Sequence, residues 1–528
     1  MILPVRRIAF LLVCAWSLAS GVGHTQARPP EKPISEDDWF VVKLADQRCG
    51  YMHSIMREVR GEVRTQNYMS MQISRGAAKV KIGMEQEYRE SLDGKPLGFG
   101  STTTLAETPM VYRGEIKGDK LTLTTEQFGR KWTQTHPWDS EVRFAWGQML
   151  AQRERGLKPG TKFTVKSYDP SLKTDAPVTL EIEVKGKEMV DVAGTKTELH
   201  HIVTRMTLPK GGLGAAMGGG AKSEASDEGG GLTIESDVWV NDEATPVVTT
   251  IDMGVAKVLV VRSTKEEALK DVEPAEMFLN TFINVDRRIG PEAKEVVYRL
   301  SLPKDGSMKI PELPTTDMQT PKRINEREVE LTVRRLNWEK LRALKENTAT
   351  DEKLAPFLKA SSTVDINDKK IKRLGKAAVK GMNTPAEKAD ALRKYVTDYI
   401  THKGMDVGFA TATEVARTKR GDCSEHGVLL AALARVAGLP SRGVSGIVEV
   451  PSQYLGGENE SAFGYHMWTQ VWIAGQWVDI DGALRQTDCD ATHIALALMP
   501  LNEDGLGETM ASLLPVMGRL KIEIVSVK

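Results

Sequence analysis

The sequence predicts an α+β protein: a β-rich antiparallel N-terminal region followed by an α+β domain. Three observations carry this. From about Trp39 to Thr264, apolar and polar residues alternate in short runs broken by Gly, Pro, Asn or Asp. After Asn383, helical spacing takes over, with start and stop signals of its own. Two alternating runs, His466 to Ala474 and Gln476 to Ala483, then follow the second helix.

The elements follow in order. Residues 1–27 carry Arg6 and Arg7, an apolar run from Ile8 to about Ala19, and small residues ending at Thr25 and Ala27. This is the pattern of a signal peptide, so export to the periplasm or beyond is expected. No other stretch approaches the ~20 apolar residues of a membrane span. Residues 28–270 form the predicted β-rich domain, with candidate strands such as "AAKVKIGMEQEYRESL", "VTLEIEVKGKEMV" and "AKVLVVRST". "WFVVKLADQRCGYMHSIMREV" reads as one alternating run. Within this domain, residues 210–231 are dominated by Gly, Ala, Ser and acid, a composition that cannot build a core, so a disordered loop is predicted. Residues 271–345 read as a small β connector, with "EVVYRLSLP" and "REVELTVRRLNW" as its strands.

Residues 346–528 form the last predicted domain. Its first clear helix opens with Thr384, Pro385 and Glu387, a capping box with proline at the first helical position. The second runs from Ser424 to about Ala437, and Gly438 and Pro440 stop it.

Composition narrows the function. Lys plus Arg and Asp plus Glu both total 71 in 528 residues, so the formal net charge is zero. The electrostatic footprint of a nucleic-acid-binding protein is missing. Beyond the signal segment the cysteines are Cys49, Cys423 and Cys489, an odd number. An oxidising compartment favours pairs, so one thiol is left over. Cys423 is the candidate, because "RGDCSEH" sets it among charged and polar residues at a helix start. A Cys49–Cys489 pairing stays open.

The first turn of a helix stabilises a thiolate through its unpaired N–H groups and dipole. Such a nucleophile needs a base, and the base an orienting partner. His466, Trp468, Gln470 and Trp472 share one strand face; Trp477, Asp479 and Asp481 share one on the next strand. A tight turn at Ala474–Gly475 places His466 opposite Ala483, with Asp481 as the diagonal neighbour. Register therefore prefers Asp481 over Asp479 as the histidine's partner. Asp422 and Glu425 read as helix-start residues, Arg442 as a core brace, and Trp468 and Trp472 as packing.

With these residues in place, the stretch from about Leu354 to Ala483 resembles the transglutaminase-like superfamily. The resemblance rests on Gly421, Asp422 and Cys423; on Gly438, Leu439, Pro440 and Arg442; on His466 and Trp468; and on Trp477 and Asp481. It implies a papain-like fold, a Cys423–His466–Asp481 triad acting on amide bonds of a protein or peptide substrate, and no cofactor. Hydrolysis and transfer through a Cys thioester both stay open. Two other readings compete. The domain could be an inactive binding module in an envelope or extracellular assembly. Cys423 with His426 and Cys489 with His493 could instead hold a structural zinc, although that leaves His466 and Asp481 unexplained.

Overall fold

The structure is a computed structural model that describes residues 34–75, 78–105, 108–127, 130–169, 176–208, 232–252, 257–276, 281–304, 309–344, 352–404, 410–450, 461–501 and 516–528. The predicted signal segment and the Gly-rich stretch 210–231 lie outside these residues. The chain divides into two compact units that meet in sequence between Met277 and Phe278.

The N-terminal unit is, among the described residues, one 15-stranded sheet. Successive strands pair antiparallel as two meanders, joined where Ser35–Leu44 pairs with Lys257–Ser263. Alternation sets the faces: Phe40, Val42 and Leu44 are buried in the core, while Lys43 between them is not. The run read as one strand from Trp39 is a hairpin, Ser35–Leu44 and Gln47–Val59, turning at Ala45 and Asp46 with φ of 48° and 66°. Strands Glu62–Arg75, Pro96–Leu105, Thr108–Lys117 and Arg130–Pro137 were not foreseen, nor was the helix Ala145–Arg155. That helix buries Trp146 and Met149 against Met56 and Val63. Its N-terminus is capped by the fully buried Glu90, whose carboxylate accepts from the N–H groups of Trp146 at 2.8 Å and Gly147 at 2.9 Å.

The C-terminal unit is α+β. Its first sheet has four strands, β1 (Glu295–Ser301), β2 (Gln319–Asn325), β3 (Glu328–Arg334) and β8 (Lys521–Val527), in the order β2-β3-β1-β8. Residues 271–345 and 346–528, read apart in the sequence, thus both contribute strands to it. Its main helices are α1 (Lys369–Ala378), α2 (Pro385–Tyr399), α3 (Ala412–Thr418) and α4 (Cys423–Val436), preceded by short helical turns at Trp338–Arg342 and Glu352–Leu358. Helix α2 has the expected Thr384–Glu387 capping box with Pro385 behind the cap. The second sheet holds β4 (Ser441–Glu449), β5 (Ala462–Ile473), β6 (Gln476–Ile480) and β7 (Ile494–Met499), with the short strand Ile283–Asn284 also pairing with β5. Strand β5 lies between β4 and β6, and β7 pairs with the far side of β4.

Helix α4 fills the middle of this unit. Its apolar residues Val428 to Ala434 are buried with Met467, Val471 and Ile473 from one face of β5. Thr469 Oγ1 on the same face donates to the Gly427 carbonyl at 2.9 Å. The other face of the sheet carries Trp468, Val444 and Ala495. There Gln319 on β2 makes two bonds with the Ala495 backbone, at 2.8 and 2.9 Å.

Candidate active site

Asp422 is the N-cap of α4, and its carboxylate accepts from Ser424 N–H at 3.0 Å. Glu425 completes the capping box. Its Oε2 accepts from Asp422 N–H and its Oε1 from Ala410 N–H, each at 2.9 Å. Burial, reinforced by Asp422, raises the Glu425 pKa well above the carboxylate range. Gly421 just before the cap has φ of 152°, and a Cβ there would lie 2.1 Å from Glu425 Cβ. The Gly-Asp-Cys order is thereby explained: glycine makes room for the cap, aspartate is the cap, and cysteine is the first helical residue. The N–H of Cys423 has no partner within its own helix.

The hairpin β5–β6 has the expected register. Its turn at Ala474 and Gly475 has φ of 50° and 90°, and Gln470 faces Asp479. His466 Nε2 donates to Asp481 Oδ2 at 2.6 Å. Asp481 follows β6 in a turn closed by its own backbone bonds to Gln486, and its Oδ1 accepts from Ala483 N–H at 2.8 Å and Leu484 N–H at 2.9 Å. Because Nε2 is committed to Asp481, Nδ1 is the nitrogen left for Cys423, whose thiol is coupled electrostatically to the His466 ring. Cys423 and the ring are partly buried, while Asp481 is fully buried.

The charges reinforce one another. Burial works against a cationic His466, but Asp481 and Cys423 outweigh it and raise the imidazole to about 9. Burial likewise opposes an ionised Asp481, and the charge and hydrogen bond of His466 hold it well below the usual range. At Cys423, burial and Asp422 act against ionisation, while the positive charge of His466 acts for it. A thiolate–imidazolium pair is the arrangement these groups favour.

Residues 372–482 match the model of the Transglutaminase-like superfamily. The transglutaminase-like segment spans α1 to the turn after Asp481 and covers about a fifth of the chain. No curated protein matches the chain. Among solved structures, a candidate cysteine protease from Cytophaga hutchinsonii is 13% identical, over 43% of this chain and 83% of that one, with a TM-score of 0.29. A beta-barrel-like protein of a domain of unknown function from Brucella abortus is 10% identical, over 44% and 96%, with a TM-score of 0.32. A candidate protease from Parabacteroides distasonis is 11% identical, over 71% and 64%, with a TM-score of 0.19.

The other residues singled out in the sequence fall around this centre. Burial raises the Asp479 pKa, and its neighbours are Gln470, which it faces across the hairpin, His493, Trp468 and Arg442 rather than His466. Arg442 donates to Gln470 Oε1 at 2.8 Å and lies over the Trp477 ring, 4.0 Å from its centroid, as a brace would. Trp468 is buried, whereas Trp472 packs edge-on against Trp477 at 5.5 Å. Cys49, Cys423 and Cys489 are free thiols. His426 sits one turn along α4 with Nδ1 2.6 Å from the Asp422 carbonyl. Among the described residues, no three His, Cys, Asp or Glu side chains converge as a metal site. Sequence reasoning missed the surroundings of Asp481: His493, Asp490 and Gln486. The only signal was the Cys489–His493 spacing, which had been weighed as a metal motif.

Proposed function

We propose that the chain is an exported cysteine-dependent amide-bond enzyme acting on a protein or peptide, by hydrolysis or by acyl transfer. The observation that carries this reading is His466, held at 2.6 Å by a buried Asp481 on one side and coupled electrostatically to the helix-start Cys423 on the other. In the proposed reaction His466 Nδ1 takes the thiol proton and Sγ attacks the carbonyl carbon. The resulting oxyanion is met by the N–H of Cys423. As the C–N bond breaks, imidazolium returns the proton to the leaving amine, leaving a thioester on Cys423. Water or a second amine, deprotonated by His466, then attacks the thioester. Asp481 keeps the ring in one tautomer and orientation throughout.

Export rests on Arg6, Arg7 and the apolar run after them; among the described residues, no helix is long and apolar enough to cross a membrane. The test is incubation with a peptide library, with and without a primary amine, read by mass spectrometry. Cleavage, loss of ammonia or amine incorporation that vanishes in Cys423→Ala is the expected result. Unchanged peptides, together with no labelling of Cys423 by a thiol-reactive probe, would overturn the reading in favour of a binding module.

A further inference from the structure

The Asp481 carboxylate has a second imidazole behind it. Its Oδ2 lies 2.6 Å from His466 Nε2 and 3.3 Å from His493 Nε2. The other nitrogen of His493, Nδ1, lies 3.4 Å from Asp490 Oδ1. Asp490 is itself fixed: Oδ1 accepts from Thr492 N–H at 2.9 Å and Thr492 Oγ1 at 2.6 Å, and Oδ2 from Gln486 Nε2 at 2.9 Å. The His493 side chain is wholly buried.

Both ring nitrogens of His493 therefore face carboxylates. A neutral imidazole has one N–H and would turn a lone pair toward one of them; an imidazolium donates to both. The groups facing the ring are Cys489 and Asp490 from its own loop, Asp481 and Asp479 from the β6 side, and His466 and Trp468 from β5. The Trp468 ring packs edge-on against His493 at 5.2 Å and stacks on His466 at 6.2 Å, which locks the two imidazoles on either side of one acid.

We propose that His493 is a positioning residue of this site: a buried cation that fixes the Asp481 carboxylate from behind and shares its charge. The proposal rests on the triad reading above. Its consequence is electrostatic. With His493 charged, Asp481 gives His466 only part of its pull. Proton release from His466 then stays within reach of the acid role, in which the ring must give its proton to the leaving amine. Without that second cation every remaining group binds its proton more tightly.

The experiment is the rate of Cys423 alkylation by iodoacetate across acid and alkaline pH, with melting curves for each variant. The acid limb reads thiolate formation, and the alkaline limb reads loss of the His466 proton, which attracts the anionic probe. His493→Gln keeps a donor for Asp481 without the charge. It is expected to move both limbs to higher pH, the alkaline one by about one to two pH units, a ten- to hundredfold change, since the rings are 6.4 Å apart. Asp490→Asn keeps an acceptor oxygen for His493 but removes the negative charge that favours its imidazolium, and is expected to move the limbs the same way by less; it decides the matter if His493→Gln does not fold. Limbs that stay in place while the melting temperature or the overall rate drops would make His493 a structural residue only and overturn the proposal. A wild-type profile with the single rise of an ordinary thiol would overturn the triad reading itself, before any variant is compared.

Discussion

Replacing Asp481 with Asn should cost most of the chemistry while leaving the fold, and its size can be worked out. His466 stands at about 9 instead of 6.5. At ~1.4 kcal/mol per pH unit, that is on the order of 3 kcal/mol of preference for the imidazolium. Cys423 supplies part of it, so loss of the Asp481 charge removes roughly 2 kcal/mol, about a thirtyfold loss of thiolate–imidazolium pair at neutral pH. An amide at this position also frees the ring to take the wrong tautomer, and in other triads that loss reaches about 10⁴-fold. Turnover should fall by about 10²- to 10⁴-fold. The alkaline limb of iodoacetate labelling should move down toward the ordinary imidazole value, the opposite direction to that expected for His493→Gln. Circular dichroism checks folding. Near-wild-type turnover with the alkaline limb still in place would refute the assignment, and a larger loss in Asp479→Asn would transfer the role to Asp479.

Three further outcomes are expected. Gly421→Ala drives a Cβ into Glu425 at a position with φ of 152°, so it should cost about 1–3 kcal/mol in thermal melting and slow Cys423 labelling; an unchanged midpoint would show that the cap has room to give. Glu90 is pushed up to about 7 by burial, against an ordinary 4.5, so the folded state keeps a proton that the unfolded chain has lost between those values. Its contribution to stability should therefore fall as pH rises from about 4.5 to about 7, by up to roughly 3 kcal/mol, and denaturant titrations of Glu90→Gln should show a flatter dependence over that window. Replacing residues 210–231 with a short Gly-Ser turn should leave the melting temperature nearly unchanged, because Leu208 and Leu232 on either side already pair across the sheet and closure entropy grows slowly with loop length; a large drop would show that the segment packs.

The centre of the site was legible because each of its parts is local. The cap and helix start place Cys423, and the two-residue turn with the period of two places His466 beside Asp481, each within a short stretch of sequence; that the two stretches meet was what the resemblance implied. What escaped notice depends on contacts distant in sequence or on turns without a signature. Ala45 and Asp46 turn a hairpin with positive φ but no glycine or asparagine, so two strands read as one. Strand β4 was missed because it is apolar on both faces, buried from Gly443 to Val448, and shows no alternation. His493 looked like half of a metal pair; only the fold brings it against Asp481.

The pairing of β8 with β1 has a temporal consequence. Lys528 N–H donates to the Glu295 carbonyl at 2.8 Å, across 233 residues of chain. Strand β1 in turn steadies the loop that carries Asp490, through Tyr298 Oη donating to the Ala491 carbonyl at 2.7 Å. A chain still emerging from the ribosome, or threading a pore, holds Cys423 and His466 well before it holds the strand that finishes this sheet. Cys423 is therefore made before the strand that joins β1, and the sheet that steadies this loop can form only after both have been made.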